Sequence, residues 1–385
     1  MDCIEKDISG VSTHHAKRVA YISIVLGKRI GLSESKLIDL TSCALLHDCA
    51  LTEYILYKEN IDGKMKNNEA DITKHCILGE NNIKMIKFAG DVKNAILYHH
   101  ENADGSGAFK KKYYEVPIYA RLIHFADQID VDFNLTNVSK EKYNDIIKFI
   151  RKNADKLFEK EICDFFEEEF SIEKISILGQ DDLSNIITKA LPDINIVYSN
   201  DDIMSFANFI ANIIDYKSKF TRKHSIGIAQ KAATLAKYYK YSDDDISKLY
   251  LAGALHDIGK LAVDKDILEK PGKLTYDEFE KIKSHATYTY KMLKDIQGLE
   301  EVCLIASYHH EKLDGSGYPF GKKCEDLTKD QRIMEVLDIY QALIEERPYK
   351  KSMSHGEAID ILNIMARNKL IDEDILNDVA LIFGN

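Results

Sequence analysis

A repeat of polar residues narrows what this chain can fold into more than any other feature of its sequence. His15 precedes the pair His47-Asp48 by 32 residues, and His224 precedes the pair His256-Asp257 by the same 32. A single histidine follows at His75 and at His285, and a His-His doublet comes 24 residues later, at His99-His100 and His309-His310. Asp104-Gly105-Ser106-Gly107 and Asp314-Gly315-Ser316-Gly317 come next, and Asp127 and Asp338 close the two series. Ten of the thirteen histidines thus fall into two matching sets of five. Apolar periodicity can match by chance between unrelated helices, but it does not fix six polar positions at near-identical spacing. Duplication is the better account. It predicts a first copy over 1–170, a second over 203–385, and a connector over 171–202 carrying one short helix of its own.

The elements that carry these residues read as helices. Residues 16–27, 37–46, 226–238 and 246–255 place apolar side chains at helical spacing, and the whole chain holds only five prolines. The expected fold class is all-α, with two tandem helical bundles. A chain of 385 residues, 45% hydrophobic, can bury two such cores. Its apolar runs fall well short of the ~20 residues of a membrane span, and no signal peptide opens the sequence. Seven scattered cysteines without a CxxC pair suggest neither a disulfide framework nor a thiolate zinc site, so they are assigned to the core and a cytoplasmic location is expected. A net charge of −11 opposes non-specific binding to a nucleic-acid polymer, but leaves room for a small anion held by a local cationic pocket.

Imidazole and carboxylate donors without thiolates suit Fe, Mn or Zn, and one carboxylate can bridge two ions through its two oxygens. Five histidines and two aspartates per copy are enough for two divalent ions. Two ions side by side can activate water and clamp both the attacked and the leaving oxygen of a phosphoryl transfer. Phosphodiester hydrolysis is the natural reaction. Isolated histidines such as His14, His124 and His355 are read instead as packed or hydrogen-bonded residues.

The second copy also contains His256-Asp257-Ile258-Gly259-Lys260, Lys270-Pro271-Gly272-Lys273-Leu274-Thr275, His309-His310-Glu311, Asp314-Gly315-Ser316-Gly317-Tyr318-Pro319 and Arg347-Pro348-Tyr349-Lys350. With these motifs it closely resembles the HD-GYP family, within the HD superfamily. The resemblance implies a helical bundle whose di-iron or di-manganese centre cleaves cyclic di-GMP to pGpG or GMP in bacterial signalling. By that resemblance His224, His256, Asp257 and Asp338 hold one ion, and Asp257, His285, His309 and His310 the other. Asp257 is then the bridge and, with Lys260, the catalytic pair. Lys260 sits beside the scissile phosphate, Arg347 and Lys350 grip the substrate's phosphates, and Gly317 and Tyr318 line the site. Asp314 is expected to orient a ligating histidine. Some members add a third ion through a glutamate one helical turn before the first histidine. Phe220 stands there in this chain, so two ions are expected.

The first copy keeps His15, His47, Asp48, His75, His99, His100 and Asp127 as a second candidate metal site, but loses the parts that handle substrate. Leu51 stands in the place of Lys260, Ala108-Phe109 in that of Tyr318-Pro319, and Thr136 and Ser139 in those of Arg347 and Lys350. Four readings follow for it: a regulatory or dimerising copy that still binds metal, an enzyme for a less anionic substrate, an unmetallated polar core, or, by resemblance to broader HD-domain proteins, a mixed-valent di-iron redox centre. For the whole chain, other readings are hydrolysis of cyclic GMP-AMP or pGpG, and non-catalytic sensing of a cyclic dinucleotide. GGDEF-type or other signalling proteins, and a second copy of the chain, are the protein partners consistent with the resemblance.

Overall fold

The computed structural model describes residues 14–51, 72–180, 182–193, 196–217, 224–268, 270, 272–346 and 351–384. It is all-α, with no strand among the described residues. None of its described helices is long and apolar enough to cross a membrane. The chain divides into two compact units, Met1–Val197 and Tyr198–Asn385.

In the first unit the main helices are α1 (His15–Ile30), α2 (Glu34–Leu46), α3 (Ile72–Ile83), α4 (Ile118–Phe133), α5 (Lys140–Asn153), α6 (Lys160–Glu169) and α7 (Leu183–Ala190). α1 stops where Gly31 adopts a left-handed conformation and its N–H returns to the carbonyls of Gly27 and Lys28. Lys28 and Arg29 in that last turn complement the negative end of the helix dipole. α1 and α4 are tied together by a buried fork: Arg18 Nε donates to Asp130 Oδ1 at 2.7 Å, and its Nη2 to Oδ2 at 2.9 Å. Phe125, Phe166 and Phe170 fill the space behind them, with the last two rings stacked at 4.7 Å. Within 171–197, α7 packs against α1 and buries Leu183 and Ile187, so this stretch belongs to the first unit's core.

The second unit repeats the plan with α8 (Asn200–Lys217), α9 (His224–Tyr238), α10 (Asp243–Leu255), α11 (Tyr276–Leu293), α12 (Glu300–Ser307), α13 (Lys329–Ile344), α14 (His355–Arg367) and α15 (Glu373–Phe383). Its helix starts are written in the sequence. Ser242 caps α10 ahead of three aspartates in the first turn, while Thr275 with Glu278 and Thr328 with Gln331 form capping boxes for α11 and α13. Ile228, Leu235, Leu249, Leu255, Val336 and Leu362 are all buried in one core, each worth ~1.5–3 kcal/mol relative to exposure. The counterparts of Arg18 and Asp130 are Gly227 and Gln341. A Cβ on Gly227 would lie 2.7 Å from Gln341 Nε2, so the smaller residue makes room for the longer partner.

One buried group in this core lacks compensation. Glu335 on α13 is 2% exposed, and neither of its carboxyl oxygens has a hydrogen-bond partner among the described residues. Burial pushes its carboxyl up to about 9 against the pull of the Lys312 ammonium, and Asp372, Glu311 and Asp314 add to the rise. The native state therefore keeps a proton that the unfolded chain releases near its ordinary value of 4.5. Between those two values stability falls as pH rises, by about 1.4 kcal/mol per pH unit from this group alone. Glu335→Gln should flatten that decline: between pH 6 and 9, thermal unfolding of the second unit should lose less for the variant than for the wild type. Parallel curves would show that the native carboxyl is not held protonated.

Candidate metal centres

Helix ends deliver the polar residues of the second unit to one place. His224 opens α9, His256 and Asp257 follow the last residue of α10, and His309 and His310 follow α12 shortly after its end. His285 and Asp338 come from within α11 and α13. Three of the imidazoles are held by the same device. His256 Nδ1 lies 2.8 Å from the Gly253 carbonyl, His285 Nδ1 2.6 Å from that of Ile282, and His309 Nδ1 2.6 Å from that of Ala306. A carbonyl only accepts, so each Nδ1 carries the proton and each Nε2 turns a lone pair toward the cluster.

The donors fall into three overlapping groups, His224/His256/Asp338, His256/Asp257/His309 and His285/His309/His310. His224 Nε2 lies 3.0 Å from Asp338 Oδ1, and His285 Nε2 3.2 Å from His309 Nε2. Asp257 stands between the groups, with Oδ2 3.1 Å from His256 Nε2 and Oδ1 3.4 Å from His285 Nε2. Burial and the charge of neighbouring groups hold His309 and His310 below the ordinary imidazole value, and burial holds His285 down to about 4, so all three favour the neutral form that ligates. Burial also opposes ionisation of Asp257, but the neighbouring His256 imidazole and Lys260 ammonium outweigh it and keep the carboxyl well below its usual range. His224 goes the other way: its bonds to Asp338 and Glu345 outweigh burial and raise it to about 9. The donor set fits divalent ions. His256 Nε2 is buried with no hydrogen-bond partner among the described residues, and two Nε2 lone pairs face each other, both conditions that a cation relieves.

Around this cluster, Lys260 Nζ lies 2.5 Å from Asp257 Oδ2. Its turn packs so tightly on α11 that a Cβ on Gly259 would lie 1.9 Å from the His285 carbonyl oxygen. The Tyr318 ring lies against that of His310, centroids 4.7 Å apart, and a Cβ on Gly317 would meet the His310 carbonyl oxygen at 2.5 Å. Both positions need glycine for that close approach. Asp314 does not orient a histidine. It is exposed, and Oδ1 accepts from the backbone N–H and the hydroxyl of Ser316, so it shapes its own turn. Arg347, Lys350 and Phe220 lie outside the described residues.

The first unit assembles its counterparts in the same way. His15 Nε2 lies 3.1 Å from Asp127 Oδ1. Asp48 again faces two ways, with Oδ2 3.3 Å from His47 and Oδ1 3.6 and 3.7 Å from His75 and His99. His47 and His99 point Nδ1 at the carbonyls of Ala44 and Ile96, and His47 Nε2 is buried without a hydrogen-bond partner among the described residues. His100 Nε2 lies 3.2 Å from His75 Nε2. Ser139 caps α5 by accepting from the Lys142 N–H, and the Thr136 hydroxyl bonds to Asn134, so both side chains serve local turns.

Sequence reasoning missed three contributors. Glu345 accepts at 2.9 Å from His224 Nδ1, and Asp130 at 2.6 Å from His15 Nδ1. Asp130 lies three residues after Asp127 on one helix and Glu345 seven after Asp338, spacings that put each near the face of its ligand aspartate. The third is Cys76, assigned to the core from sequence. It is buried, but it joins His75, His99 and His100 in one group of candidate donors. Burial opposes its ionisation, yet positive charge at His99 and hydrogen bonds to His75 and His99 draw the thiol down to about 6.

Known proteins carry similar sequences and folds. A 3'3'-cGAMP-specific phosphodiesterase from Vibrio cholerae is 31% identical over 379 residues, 94% of this chain and 85% of the relative. A cyclic di-GMP phosphodiesterase from Pseudomonas aeruginosa is 37% identical over 163 residues, 41% of this chain and 39% of its own. The crystal structure of a cyclic GMP-AMP specific phosphodiesterase from V. cholerae shares the fold, with a TM-score of 0.67 at 24% identity over 98% of this chain and 95% of that one. The HD domain family matches twice, over residues 4–161 and 208–375, each stretch holding one of the two His/Asp clusters, and the chain belongs to that family.

Proposed function

We propose that this chain is a metal-dependent cyclic dinucleotide phosphodiesterase working at the second unit's centre. One observation carries the reading: buried Asp257 turns its two oxygens to different imidazole groups with an ammonium, Lys260, at its side. In this proposal His224, His256, Asp257 and Asp338 hold one ion, and Asp257, His285, His309 and His310 the other, with Fe or Mn ahead of Zn. Bound there, the ions supply Lewis acidity for attack of water on the phosphodiester.

The protein's own groups do the rest. The Nδ1–H···O=C bonds fix the rings of His256, His285 and His309 before substrate arrives, and Glu345 holds that of His224, so little reorganisation accompanies the reaction. Lys260 exchanges its bond to Asp257 for a phosphate oxygen and offsets charge that grows in the transition state. Tyr318, packed on His310, narrows one side of the site. Arg347 and Lys350 take the remaining phosphate charge that an acidic chain otherwise lacks. The first unit, with Leu51 in place of the lysine, is regulatory or dimerising.

Cyclic di-GMP, cleaved to pGpG or GMP, is the first substrate reading. A specific observation favours a second, 3'3'-cGAMP: the relative matching across both units is specific for it, whereas the P. aeruginosa cyclic di-GMP relative matches 41% of the chain. Chromatography of the products from each dinucleotide, with the anaerobically metal-loaded protein, decides between them, and turnover of neither would end the proposal.

Two substitution experiments test the site. His256→Ala with Asp257→Ala should abolish turnover, while His47→Ala with Asp48→Ala should leave most of it; the opposite pattern would move catalysis to the first unit. Lys260→Ala should spare metal content, because an ammonium cannot ligate a cation, yet slow cleavage about a hundredfold, the ~2.7–4 kcal/mol typical of one preorganised donor. Unchanged kcat, or loss of metal measured by elemental analysis, would remove Lys260 from the phosphate-handling role.

A further inference from the structure

In the first unit, His75 Nε2 lies 3.4 Å from His99 Nε2, 3.2 Å from His100 Nε2 and 3.6 Å from Cys76 Sγ. These four donor atoms all lie within 4.8 Å of one another. Zinc binds imidazole nitrogen at about 2.0–2.1 Å and thiolate sulfur at about 2.3 Å, so the edges of a His/Cys tetrahedron are about 3.4 Å for N···N and about 3.6 Å for N···S. The three distances from His75 match those edges. His99 has committed Nδ1 to the Ile96 carbonyl and keeps Nε2 for the cluster. Cys76 is 0% exposed, so its thiol has no direct access to bulk solvent, and its Sγ faces the His75 imidazole. In the second unit the same position is Ala286, also 0% exposed, which offers no donor.

We infer that the first unit holds a thiolate-ligated ion, zinc by preference, in a closed His3Cys site made of His75, Cys76, His99 and His100. On binding, the Cys76 thiol releases its proton, which reaches solvent by way of the His75 and part-exposed His100 imidazoles, and the sulfur becomes the fourth protein donor. Four protein ligands leave no position for a water to be activated, which is the mark of a structural zinc site rather than a hydrolytic one. The soft sulfur also separates the two centres chemically: the all-N/O set of the second unit suits Fe or Mn, and the first takes zinc. This inference holds whether or not the second unit cleaves a cyclic dinucleotide.

The experiment uses the full chain carrying His256→Ala and Asp257→Ala, which silences the second centre, stripped of metal and titrated with cobalt(II). The expected spectrum has a thiolate-to-cobalt charge-transfer band in the near ultraviolet and strong tetrahedral bands in the visible. Adding Cys76→Ala or Cys76→Ser should abolish the charge-transfer band, and Cys49→Ala, a control at a neighbouring buried cysteine, should keep it. X-ray absorption of the zinc-loaded parent should show a sulfur shell at about 2.3 Å, so the result does not depend on the Cys76 variants folding. A parent that binds no cobalt, a spectrum without sulfur character, a band that survives loss of Cys76, or a zinc shell of nitrogen and oxygen alone would each overturn the inference.

Discussion

The second unit is organised around an aspartate that has left water. Removing a carboxylate from solvent costs several kcal/mol unless positive charge or hydrogen-bond donors meet it, and Asp257, 2% exposed, is met by imidazoles and an ammonium. That arrangement requires imidazoles with fixed rings, and the rings are fixed by helix ends. The carbonyls of Gly253, Ala306 and Ala44 lie in the last turns of α10, α12 and α2, where backbone acceptors lack a full set of helical partners. The Nδ1–H groups of His256, His309 and His47 satisfy those acceptors. At these three positions helix termination and site construction coincide, while His285 makes the same bond to Ile282 from within α11, using a carbonyl's second lone pair.

With that frame kept, the two units diverge at the positions around it. The histidine on the first helix needs an acceptor for its Nδ1, and the units supply it differently. In the first, Asp130 accepts from His15 while held by buried Arg18; in the second, Glu345 accepts from His224, Gln341 occupies Asp130's place, and Gly227 takes that of Arg18. The substitutions come as a set. Glutamine at 130 would take from buried Arg18 the carboxylate that meets its charge, and arginine at 227 would collide with Gln341.

The repeat and its helices were legible because duplication writes the same polar spacing twice, and because caps such as Thr275/Glu278 are local signals. The paired clusters were legible for the same reason. Cys76 was not: it sits beside His75 without a CxxC spacing, and only the fold brings it to His99 and His100. Asp314 misled because adjacency to a functional loop says nothing about direction, and its carboxyl turns outward to Ser316. The burial of Glu335 without a partner was out of reach too, since a glutamate on an amphipathic helix reads as surface until its neighbours are known. Residues 171–202 read as a connector from their Gly, Asp and Pro content, yet within them Leu183 and Ile187 give α7 an apolar face that α1 covers.

Two replacements then act in the same direction on the first unit. Leu51 in place of Lys260 removes the ammonium that would meet a phosphate, and Cys76 in place of Ala286 adds a donor where the second unit has a methyl group. The first change takes away the group that, in the proposed mechanism, offsets charge growing in the transition state, so cleavage there would be slowed. The second, in the His3Cys site inferred above, would fill the coordination position that hydrolysis needs for water. Either alone would suppress turnover, but they differ in what they preserve. Losing the lysine leaves the buried imidazoles in need of a cation, whereas gaining the thiolate satisfies them more firmly than an N/O set does. Selection for a unit that keeps its metal as a brace while giving up substrate accounts for both changes together, and loss of catalysis by neglect accounts only for the first.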